Sequence, residues 1–65
     1  MLRKPSYRVV ADLIQADGTF TTHTVESGIK DYDVVEKKLE SIKNNPPSHF
    51  KQFFRVVPRW ELSFA

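Results

Sequence analysis

The chain has no cysteine among its 65 residues. Disulfides, thiolate zinc sites and cysteine nucleophiles are therefore all excluded. Long apolar runs are missing as well. No segment approaches the roughly 20 residues of a membrane span, and Met1–Pro5 leads into polar, alternating sequence with no apolar stretch suited to a secretory signal. Small secreted domains usually lean on disulfides, so the expectation is a cytoplasmic protein without a membrane partner. Glycine is scarce, with only Gly18 and Gly28, and low-complexity segments and internal repeats are absent. A dense Lys/Arg cluster of the kind that makes nucleic acid the default partner is also lacking.

What charge there is has a layout. The net charge is +2. Residues 1–11 carry +3, residues 12–42 carry −4 and residues 43–65 carry +3. Basic ends flank an acidic middle, a weak pointer to anionic partners. A chain of this length forms one domain, residues 1–65. It buries only about 60% of its unfolded surface, so its stability is marginal.

Residues 1–5 are expected to be a flexible N-terminus. From Tyr7, strand formers alternate through Ile14 with apolar residues on both faces. Asp17-Gly18 offers the φ > 0 positions of a tight hairpin turn, and the threonine-rich stretch from Phe20 to Val25 suits a second strand. The hairpin is expected over 7–26. Ser27-Gly28 breaks it. Asp31 can cap a helix and Asp33 sits where the dipole favours an acid. Tyr32, Val35, Leu39 and Ile42 then recur at helical spacing over 32–44, and Pro46-Pro47 ends the helix.

The aromatic and basic tail, 52–64, reads as a bent strand or as two strands divided at Pro58, which cannot donate to a ladder. With period two, Phe54, Val56, Pro58, Trp60, Leu62 and Phe64 form the expected core face. The fold expected is α+β: a small two-layer β-β-α-β domain with an antiparallel sheet, three-stranded, or four-stranded if Pro58 divides the tail, and one helix on one face.

One helix covers one face. The other is expected to carry Arg8, Val10 and Ile14, then Thr21, His23 and Val25, and finally Phe53, Arg55, Val57 and Arg59. Exposed apolar surface of that size usually marks an interaction site. The partner-binding set is therefore Arg8, Val10, Ile14, Phe53, Arg55, Val57 and Arg59. The arginines would select acidic partners and the apolar residues would supply buried area. The partner is a second copy of the chain or another protein. Strand addition at the edge next to Pro58 is a second route. Single-stranded nucleic acid is the alternative, with Phe53, Arg55, Arg59 and His23 or Phe50 as stacking and phosphate groups.

No metal or cofactor is expected. His23 and His49 have no partner at ligand spacing, and the acids at 12, 17, 31 and 33 fit caps and turns better than a calcium loop. The threonines have no activating base, so the chain is read as non-enzymatic. In size and style it resembles the small accessory proteins that bacteriophages and other mobile elements encode, which implies a regulator or inhibitor of a larger protein.

Overall fold

A computed structural model describes residues 5–64. It contains strand β1 (Ser6–Ile14), strand β2 (Phe20–Ile29), helix α1 (Tyr32–Asn44), a 3₁₀ turn (Ser48–Gln52) and strand β3 (Arg55–Ser63). The sheet is antiparallel with order β2-β1-β3, so β1 is central. This is the expected small α+β domain, in its three-stranded form. Pro58 lies within β3, opposite Ala11, and β3 is an edge strand, the position where a residue without an N–H is tolerated. The segment 1–4, most of the expected flexible N-terminus, lies outside the described residues.

The hairpin differs from expectation by one residue, with large consequences. Gly18 N–H donates to Gln15 O at 3.0 Å and Gln15 N–H to Thr19 O at 2.8 Å. Gly18 alone in the loop has positive φ, +90°. The loop is therefore a type I turn centred on Ala16-Asp17, followed by a left-handed glycine. A two-residue Asp17-Gly18 turn would have paired Ile14 with Thr21. The observed loop pairs Ile14 with Phe20 and Ala11 with His23. A shift of one residue exchanges the faces of a strand. Thr21 and His23 thus lie on the helix side, while Phe20, Thr22 and Thr24 take the open side. A side chain at position 18 meets no neighbour but must adopt φ +90°. Gly18→Ala should therefore cost about 1 kcal/mol, read as a lower urea midpoint with unchanged slope.

Register slips again between Tyr7 and Val9 and between Val9 and Val10. Across these irregularities Val25 packs on the core, Ile29 is buried, and Glu26 pairs with Lys38 of α1 at 2.8 Å. Val25 too is therefore absent from the helix-free face. The helix starts where the Asp31 carboxylate accepts from Asp33 N–H at 3.0 Å. It ends where Asn45 N–H donates to Ser41 O, just before Pro46-Pro47. Val35 and Ile42 face Val9, Ala11, Leu13 and Ile29 across a small core completed by Phe50.

Phe50 comes from the 3₁₀ turn and is the largest fully buried side chain. It plugs the end of the two-layer stack beneath Ile42. Phe53, expected on the open sheet face, lies before β3 begins and packs on the same core.

Candidate functional site: an apolar flank beside a neutralised face

The helix-free face gathers six of the seven expected binding residues. In register, Arg8 stands opposite Glu61, Val10 opposite Arg59, and Ile14 opposite Arg55, with Val57 opposite Asp12. The seventh, Phe53, is elsewhere, as described. The character of this face departs from an arginine-rich docking surface. Arg59 Nε donates to Asp12 Oδ2 at 2.9 Å and its NH1 to Glu61 Oε2 at 2.6 Å. Arg8 donates to the other oxygen of Glu61, and Thr22 Oγ1 donates to Asp12 Oδ1 at 2.8 Å. Four charges from β1 and β3 form one chain of pairs across the sheet. Val10, under the middle of it, is 1% exposed although no helix covers it. Arginine stems often roof apolar neighbours in this way.

The network leaves its mark on acidity. Hydrogen bonds from Arg59 and then Thr22 hold the Asp12 carboxyl below its ordinary 3.8. Hydrogen bonds from Arg8 and then Arg59 hold Glu61 below 4.5. The same pairing pushes the Arg59 guanidinium upward. Carboxylates depressed in the folded state contribute stability that is complete above their unfolded values and is lost as pH falls through the folded ones. Thermal midpoints should therefore be flat above pH 4.5 and fall below it. In an Asp12→Asn/Glu61→Gln variant the midpoint should start lower, and its fall below pH 4.5 should be shallower. These pairs are partly exposed, so the effect is modest and screened by salt. A wild-type midpoint that stays level to pH 2 would show that the network contributes nothing.

Of the expected cations on this face, Arg55 makes no ion pair with a carboxylate among the described residues. Its neighbours Ile14 and Val57 are half-buried, with Phe20 exposed beside Ile14. Phe20, 63% exposed, carries most of the open apolar surface there.

A run of three exposed apolar residues lies on the other side of β3. Trp60 is 39% exposed, Leu62 48% and Phe64 61%. These residues were expected in the core, and the helix dimensions explain why they are not. A 13-residue helix is about 20 Å long, whereas nine-residue strands run about 30 Å. The 3₁₀ turn and Phe50 close one end of the sheet. At the other end the helix stops at Tyr32, and nothing described continues the layer. Trp60 meets Tyr7 and Tyr32 there edge to face and the two tyrosines meet at a tilt, with centroids 5.4–5.6 Å apart. Leu62, opposite Tyr7 in register, and Phe64 project past them. Phe54, also expected in the core, is exposed at the hairpin end.

His23 and His49 stand together, with ring centroids 5.8 Å apart, and both pack edge-on against Phe50. Among the described residues no group of three metal-ligating side chains occurs, and no helix is long and apolar enough to cross a membrane. The His23–His49 contact was invisible in sequence, because it depends on the hairpin register and on the fold of the 3₁₀ turn. Comparison with protein-family models, curated protein sequences and solved structures found no match to this chain.

Proposed function

We propose that the protein is a non-enzymatic protein-interaction module that pairs with a second copy of itself through the flank of β3 beside the helix N-terminus. The observation that carries this reading is the run of large exposed apolar side chains at Trp60, Leu62 and Phe64 on one strand flank, with Tyr32 packed against Trp60; the other exposed large apolar residues, Phe20, Val34 and Phe54, lie outside this run. Contiguous exposed apolar surface of this kind favours a protein contact, and Trp and Tyr are the residues most often found at the energetic centre of one. An isologous two-fold contact lets one patch serve both copies. It also supplies the missing layer at the end of the sheet.

This reading moves the contact from the helix-free face to the opposite side of the same strand. The reason is electrostatic. Arg8 and Arg59 are engaged by Glu61 and Asp12, which weakens their case as selectors of an acidic partner and equally as phosphate contacts. Sedimentation equilibrium tests the proposal. It should return twice the 7.6 kDa chain mass at high concentration, with an association strengthened by salt that is excluded from apolar surface. A single-chain mass at every concentration would refute it.

A further inference from the structure

Where the C-terminal end of α1 and the 3₁₀ turn meet β3, the structure has a second feature. A cavity of about 250 Å³ opens there, floored by Ile42, Phe50, Val56 and Pro58 and flanked by Lys43 and Lys51. No carboxylate lines it, and neither lysine makes an ion pair with one among the described residues. The nearby prolines, Pro46 and Pro47, fix the wall between the helix and the 3₁₀ turn.

We infer that this cavity is a docking site for an acidic peptide segment of a partner protein, with one large apolar side chain in the cavity and flanking carboxylates on Lys43 and Lys51. At about 250 Å³ the cavity lies at the small end of ligand pockets, which run from about 300 Å³ upward, and has room for one large apolar side chain. Sign decides the flanks. Two ammonium groups beside an apolar floor, without an internal counter-ion, complement aspartate or glutamate on either side of the anchor. Position suits an extended segment, because Val56 and Pro58 of edge strand β3 line the cavity and an extended chain can lie along that strand. Pro58 leaves a gap in any main-chain ladder there, so the anchor and the charges carry recognition. The Lys43 charge also suits the carbonyl end of α1, a role that a bound carboxylate does not disturb.

This site does not depend on the dimer reading, and a Leu62→Asp background keeps the two separable. The probe is the acetylated, amidated pentapeptide Asp-Glu-Phe-Glu-Asp, titrated into ¹⁵N-labelled protein at low salt and followed by amide shifts. Saturable shifts in the millimolar range should be confined to the amides of Ile42, Lys43, Phe50, Lys51 and Val56, in wild type and in Leu62→Asp alike. Replacing Phe by Ala in the peptide should abolish them. Lys43→Glu/Lys51→Glu should weaken the acidic peptide about tenfold, as expected for two exposed pairs, and should favour the charge-reversed Lys-Lys-Phe-Lys-Lys instead. Folding of the double variant is checked from its unperturbed β1 amides. Absence of localised shifts, or equal binding of acidic and basic peptides by wild type, would overturn the inference.

Discussion

Phe50→Ala should leave the protein largely unfolded at 25 °C. Phe50 is 1% exposed and belongs to the one buried cluster that joins helix and sheet, with Ile42 and Leu13 among its members. Truncating a fully buried phenylalanine costs about 3–5 kcal/mol, because transfer free energy is lost and the neighbours collapse only partly into the cavity. A domain of 65 residues has a total of only about 3–10 kcal/mol, from roughly 0.05–0.15 kcal/mol per residue. The core has too few members to compensate. Far-ultraviolet circular dichroism and a urea titration check this. Phe50→Leu, which keeps most of the volume, should retain a cooperative transition at lower urea. A Phe50→Ala protein with wild-type midpoint would mean that the 3₁₀ turn is not part of the core.

The second large effect concerns association. Leu62→Asp should raise the dimer dissociation constant by about 30-fold or more, since central apolar positions in interfaces cost 2 kcal/mol or more when lost. In the dimer each copy would desolvate a carboxylate against its partner's apolar patch, which adds to the loss. In the monomer Leu62 is about half exposed, so the fold should tolerate the change and the urea midpoint of the monomer should hardly move. Arg55→Glu, on the opposite side of β3, should leave association nearly unchanged. A reversed ranking would place the contact on the helix-free face.

The contrast between these two positions shows what the sequence could and could not reveal. Tyr32, Val35, Leu39 and Ile42 spell a helix by spacing, with Asp31 and the two prolines marking its ends. The antiparallel α+β sheet followed from alternation in the two N-terminal strand segments and in the tail. Phe50 carried no such signal: it sits alone among polar residues after two prolines, with no period to assign it to a face. Its burial depends on how the 3₁₀ turn folds back under the helix.

The faces of β2 were equally hidden. They depend on whether the Asp17-Gly18 region holds a two- or three-residue loop, and the same residues serve either. The even-numbered register of β3 was legible and is the observed one. Which of its members are covered was not, because that depends on helix length against strand length. Hence Val56 is packed on the core while Trp60, Leu62 and Phe64 on the same side are open. The charge pairing of Arg8, Asp12, Arg59 and Glu61 is a two-dimensional property of the sheet. It appears only when β1 and β3 are set in register.

In the proposed dimer two copies meet through Trp60, Leu62 and Phe64. Isotope-filtered nuclear Overhauser spectroscopy on an equal mixture of labelled and unlabelled protein tests it directly. Intermolecular contacts should run from the Trp60 indole and the Leu62 methyls to the same residues, or to Tyr32 and Phe64, of the partner copy. Intermolecular contacts confined to Ile14, Val57 and Phe20 on the helix-free face would contradict it, as would their complete absence at millimolar protein.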